Sequence, residues 1–189
     1  MVTLLKTSVN APWHPWETYR RPILSLWPQV REIEASEWDG SFEGTVISLV
    51  DEWDKPISDL AARCLVEGVE GGGRLLVLHH GISLQARPEL AALIGGKFLS
   101  HPPAAPLTFA PKGLGVPGWT FTDEPYQFAM LAPVEPLLEY EYEGTKYLAG
   151  WTRTAGKGRV VYVMPGHTSD LWDHPAYQEF LKACWKQYF

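Results

Sequence analysis

Two apolar runs in this chain end in the same way. Leu75-Leu76-Val77-Leu78 leads straight into His79-His80-Gly81, and Val160-Val161-Tyr162-Val163-Met164 leads into Pro165-Gly166-His167. In a parallel sheet, ligands sit and chemistry is placed at the carboxyl ends of strands. Imidazole titrates near neutrality, so a histidine there can give or take a proton. If the two strands are parallel neighbours, their histidines share one rim of the sheet. Side chains alternate along a strand, so His79 and His80 are expected to point to opposite sides. One would face a cleft and the other would satisfy a buried hydrogen bond.

A second group of polar residues lies further along, in an irregular stretch. His101 occurs in Leu99-Ser100-His101-Pro102, and the acidic pair Asp123-Glu124 sits between Phe121 and Tyr126. Acidic pairs are ordinarily solvated, but this one is flanked by residues that favour burial. A carboxylate beside a histidine can act as its acid–base partner or orient the imidazole. Metal binding is the rival use, since three histidines and a carboxylate suit zinc. Neither an HExxH nor a CxxC motif occurs, so no residue is assigned as a metal ligand and no cofactor is required, with zinc kept as an alternative. Nine tryptophans are many for 189 residues. Trp13, Trp16 and Trp119 stand in loop-like text, where an aromatic face can stack on a sugar ring or simply fill space.

The elements that must position these residues alternate between strands and helices. Thr3–Val9, Val30–Ala35, Thr45–Val50, Leu75–Leu78 and Arg159–Met164 read as strands, the second near a sheet edge. Glu17–Leu26 could be a helix, with Pro22 marking a break or a start inside it. Pro56–Val69 has apolar residues at helical spacing, with Pro56 suited to the first turn and Gly71–Gly73 as its stop. Pro88–Ile94 is a short helix ended by Gly95-Gly96. Residues 98–134 are rich in Pro and Gly, with Thr108-Phe109 and Trp119-Thr120-Phe121 as candidate short strands. Leu137–Tyr142 and Lys146–Trp151 form a hairpin around Glu143-Gly144. Asp173 is the expected cap of a last helix that has Pro175 in its first turn. Short apolar strands alternating with helices imply an α/β domain, with a mostly parallel sheet covered by helices on both faces.

Composition narrows the function classes. A length of 189 residues suggests one domain spanning 1–189. The 46% hydrophobic and 20% charged content is that of a globular chain. A net charge of −6, with scattered Lys and Arg, argues against nucleic acid as a partner. No apolar run approaches a membrane span, and Met1–Val9 lacks the features of a signal peptide, so a cytoplasmic location is expected. Cys64 and Cys184 read as small buried hydrophobes on helix faces, with no disulfide between them. The stretch from Pro102 to Trp119 could be a lid or a contact in a homo-oligomer.

Several segments in order resemble the ThuA-like trehalose-utilisation family. They are His79-His80-Gly81, Leu93-Ile94-Gly95-Gly96-Lys97-Phe98 with Ser100-His101-Pro102, Phe121-Thr122-Asp123-Glu124-Pro125-Tyr126, Gly156-Lys157-Gly158-Arg159-Val160-Val161-Tyr162, and Gly166-His167. His14-Pro15 in the first loop also fits. The resemblance implies a flavodoxin-like three-layer α/β/α sandwich, similar to class I glutamine amidotransferases. In those enzymes a cysteine follows the central strand, whereas this chain has His79-His80-Gly81, so glutaminase chemistry is not expected. The resemblance also implies a role in the use of trehalose or related disaccharides and keto-sugars. Three readings follow. In the first, the chain is an enzyme doing acid–base chemistry on a sugar. His79 or His80 acts with His167, Asp123 or Glu124 orients an imidazole or binds hydroxyls, and His14 and His101 contact substrate. Trp13, Trp119 and Tyr126 stack on it. In the second it is a non-catalytic carbohydrate-binding or regulatory module. In the third it is a metal-dependent hydrolase.

Overall fold

The computed structural model describes residues 1–41 and 43–189. Strand β1 (Val2–Lys6) is followed by helix α1 (Trp16–Leu26), β2 (Val30–Glu34), β3 (Thr45–Ser48), α2 (Asp59–Glu70) and β4 (Arg74–Leu78). A 3-10 turn over His79–Ala86 leads to α3 (Pro88–Ile94). Strands β5 (Gly96–Ser100), β6 (Ala105–Pro111), β7 (Trp119–Asp123), β8 (Gln127–Met130), β9 (Glu135–Tyr142), β10 (Thr145–Ala155) and β11 (Gly158–Val163) come next, then α4 (Ser169–Trp172) and α5 (Pro175–Tyr188).

Among the described residues nine strands form one sheet in the order β2-β1-β3-β4-β11-β10-β9-β6-β7, and β5 and β8 pair separately. The first five are parallel. The other four continue the sheet antiparallel from β11. Chain order explains the helix layers. The crossover through α1 moves left from β1 to β2, and that through α2 moves right from β3 to β4. Both crossovers are right-handed by rule, so α1 and α2 lie on opposite faces. The parallel strands carry the continuous apolar runs of a sheet covered on both sides. Leu4, Leu5, Val46, Ile47, Leu75, Val77, Val160 and Val161 are buried.

The elements depart from the expectations in instructive places. Helix α2 starts at Asp59, not Pro56, because Ser58 caps it and its hydroxyl oxygen accepts the Ala61 N–H. Asp173 does not cap α5; it ends α4 and pairs with Arg21, and α5 begins at Pro175 after His174. Helix α1 runs through Pro22 unbroken, held by the buried face Trp16, Tyr19, Pro22, Ile23. The stretch 98–134 is not irregular. It contributes β6, β7 and β8, and β6 finds its second neighbour in β9, whose first residue lies 24 positions beyond the end of β6 in the sequence.

Candidate functional site

The carboxyl ends of β1, β3, β4 and β11 lie side by side, and the loops leaving them supply one cluster of side chains. His14 comes from the loop after β1, Asp51 follows β3, His79 follows β4, and His167 follows β11. The antiparallel half contributes Glu124, one residue past β7.

The backbone at the end of β4 makes this convergence possible. His79 has φ 40°, a left-handed conformation that side chains seldom adopt and that costs about 1–3 kcal/mol. The strand alternation expected for His79 and His80 therefore stops at Leu78. Both rings turn toward His14: His79 meets it edge-on with centroids 5.0 Å apart, and His80 stacks flat on it at 4.3 Å and 13°. The third member of the motif must be glycine, because a Cβ at Gly81 would collide with the Ser48 carbonyl of β3. Gly166 is similarly confined, since a Cβ there would press on the His79 and Trp172 side chains.

Hydrogen bonds fix which ring nitrogens face inward. His79 Nδ1 lies 2.6 Å from the Met164 carbonyl and must donate to it. Its Nε2 points toward Glu124 Oε2 at 3.7 Å, with the Tyr126 hydroxyl 3.4 Å away. His14 Nδ1 donates to Asp51 Oδ2 at 2.9 Å, and His14 Nε2 faces His167 Nδ1 at 3.2 Å. His167 Nδ1 is also 3.3 Å from Glu124 Oε2. Asp51 Oδ1 accepts from the Trp53 indole at 3.1 Å, so one carboxylate orients both His14 and Trp53. Asp123 is buried below. It accepts the N–H groups of Gly166 and Glu124, each at 2.8 Å, and that of His167 at 3.4 Å. It fastens the loop that carries His167 and does not line the pocket.

Burial sets most of the charges. It pushes the pKa of His79 down to about 3, with the neighbouring His14 adding to the effect, so the ring is neutral. His80 is lowered well below its usual range by the same causes. Burial would raise Glu124, but its contact with His167 and the nearby His79 and His101 bring it down to about 2. His167 is raised, first by that contact with Glu124 and against the effect of burial. Burial lifts Asp123 to about 6 even though three N–H groups hold its charge.

Above the cluster lies a pocket of 290 Å³, lined by Trp13, His14, Asp51, Trp53, Phe98, His101, Glu124, Tyr126 and His167. Phe98 is held by Gln85, which bonds its N–H and its carbonyl. Of the residues expected from sequence, His14, Trp13, His101, Glu124, Tyr126 and His167 line this pocket, and His79 touches its floor through Glu124. His80 does not line it; the ring is buried behind His14, and among the described residues neither ring nitrogen has a hydrogen-bond partner. Trp119 offers no stacking face. It is 6% exposed, at the start of β7, packed between Phe109, Tyr177 and Phe180. Asp51, Trp53 and Phe98 were missed, yet Asp51 ends the run Thr45–Val50 just as His79 ends its own.

A family model described as "ThuA: Trehalose utilisation" matches residues 44–186, more than half of the chain. The chain belongs to the ThuA family. Among curated proteins none matches it. Solved ThuA-like proteins share its fold at low identity. One from Bacteroides uniformis is 13% identical with a TM-score of 0.73, covering 98% of this chain and 89% of its own. One from Parabacteroides merdae is 16% identical with a TM-score of 0.76, covering 97% and 88%. A GH42 β-galactosidase from G. stearothermophilus contains the same fold at 14% identity and a TM-score of 0.69, over 98% of this chain but 29% of the larger enzyme. His79 occupies the strained turn after β4, and Cys64 and Cys184 sit in α2 and α5. Among the described residues no helix is long and apolar enough to cross a membrane.

Proposed function

We propose that this ThuA-family protein is a cytoplasmic enzyme that performs acid–base chemistry on a small carbohydrate of the trehalose or keto-sugar type. The observation that carries the reading is the build of the pocket: aromatic walls over a floor of ionisable groups. Trp13, Trp53, Phe98 and Tyr126 present faces suited to a sugar ring, while Glu124 and His167 meet at the base. A carboxylate held ionised in contact with an imidazole can take a proton from a hydroxyl, or from a carbon beside a carbonyl, and return it. Tyr19 supports this geometry by donating its hydroxyl hydrogen to the His167 carbonyl.

Incubation of the untagged protein with a library of disaccharides and 3-keto-disaccharides, followed by NMR, tests the proposal. New product signals are expected, and they should vanish in His167→Ala and Glu124→Gln while circular dichroism stays native. Ligand shifts without product would favour a carbohydrate-binding or regulatory module. No shift with any sugar would refute both readings.

A further inference from the structure

We infer that the floor of the pocket binds one divalent transition-metal ion, held by His14 Nε2, His79 Nε2, His167 Nδ1 and the Glu124 carboxylate. The inference concerns the same floor but does not rest on a sugar being the ligand.

Spacing is the first argument. The four ligand atoms lie within 4.8 Å of one another. Bonds of about 2.0–2.2 Å at tetrahedral angles place ligand atoms roughly 3.3–3.6 Å apart. The separations here are 3.2 Å for His14–His167, 3.3 Å for His167–Glu124 and 3.7 Å for His79–Glu124.

Polarity is the second. The Nδ1–H of His14 is committed to Asp51 and that of His79 to the Met164 carbonyl. Each ring therefore turns its Nε2 inward, toward a carboxylate that only accepts. The Tyr126 hydroxyl and His167 Nδ1 have at most one hydrogen each to offer among these three groups. A cation at the centre converts these facing acceptors into bonds.

The outer contacts are the third argument. Metal-binding histidines characteristically donate their other N–H to a carboxylate or a backbone carbonyl, which fixes tautomer and ring plane. His14 and His79 do so in those two ways. His80, stacked on His14, adds packing that holds the plane. Three imidazoles and one carboxylate suit zinc, with cobalt, nickel, copper and iron as chemical neighbours. His14, Glu124 and His167 line the pocket, so the ion would be reached from its mouth.

The test uses the untagged full chain, stripped with chelator and titrated with zinc by calorimetry, with cobalt as the spectroscopic probe. One ion per chain is expected, and cobalt should give the intense visible bands of a tetrahedral site. The double variant His14→Ala/His167→Ala should weaken zinc binding by about 100-fold or more. Asp51→Asn, which changes only an outer contact, should weaken it about 10- to 100-fold. His174→Gln should leave it unchanged. Absence of stoichiometric uptake by the unaltered protein, or full uptake by the double variant, would overturn the inference. Zinc bound at this site without any sugar response would refute the proposed function alone.

Discussion

Replacing Asp123 by asparagine should change how stability depends on pH. The Asp123 carboxyl is 1% exposed and meets three backbone N–H groups. Burial outweighs those bonds, so its pKa stands at about 6 in the folded chain against an ordinary 3.8. Between these two values the folded protein keeps a proton that the unfolded chain has released, so stability falls as pH rises. One pH unit corresponds to about 1.4 kcal/mol, which gives a loss of about 3 kcal/mol across the interval. Asparagine cannot titrate and lacks this loss. The stability of the unaltered protein minus that of Asp123→Asn should therefore shrink by about 3 kcal/mol from pH about 3 to about 7. His167 and Glu124, which face Asp123, titrate in both proteins and largely cancel in the difference. Urea unfolding at a series of pH values, in the presence of chelator, measures it. Stability curves that run parallel within about 0.5 kcal/mol would show that Asp123 is not held near 6, and the account of its burial would be wrong.

Three further substitutions test the packing and the pocket. Gly81→Ala drives a methyl group into the Ser48 carbonyl and should cost about 1–3 kcal/mol or more, read from the urea midpoint; an unchanged midpoint would mean that the end of β3 yields freely. Trp119→Ala should cost about 3–5 kcal/mol with the pocket intact. Trp13→Ala, at a side chain that is 74% exposed, should move stability by less than about 0.5 kcal/mol and weaken sugar binding in NMR titration; the reverse pattern would assign the stacking face to the wrong tryptophan.

The sequence made parts of this site legible because strand ends are predictable places. Apolar runs ending in His79 and His167 named two of the converging groups, and the Phe121–Tyr126 segment named Glu124. Local rules fail where the chain leaves their range. Strand alternation does not reach His79 and His80, because the left-handed turn at His79 ends the strand one residue earlier and swings both rings the same way. Trp119 opens β7, as its candidate strand implies, but its ring lies beneath α5 and not in the pocket. That burial comes from Tyr177 and Phe180, far away in sequence, and no local pattern announces it. The hairpin of β9 and β10 and the middle of β6 and of β7 are legible as Leu137–Tyr142, Lys146–Trp151, Thr108-Phe109 and Trp119-Thr120-Phe121, whereas β8 and the pairing of β6 with β9 are not, since that pairing joins segments far apart in sequence. The start of α2 at Ser58 was readable, but Pro56 competed with it as a first-turn residue.

The order of strands also constrains how the protein is made. β11 is the last strand in the chain, yet it lies between β4 and β10 in the middle of the sheet. During synthesis from the N-terminus, β4 therefore waits with one edge unpaired until residues 158–163 emerge. An apolar strand with an open edge invites pairing with other chains, and contacts this distant in sequence slow folding. The same late strand delivers His167 to the rim where His14 and His79 already stand. Completion of the sheet and completion of the site are thus one event, and a nascent chain carries neither until residues 158–167 have left the ribosome.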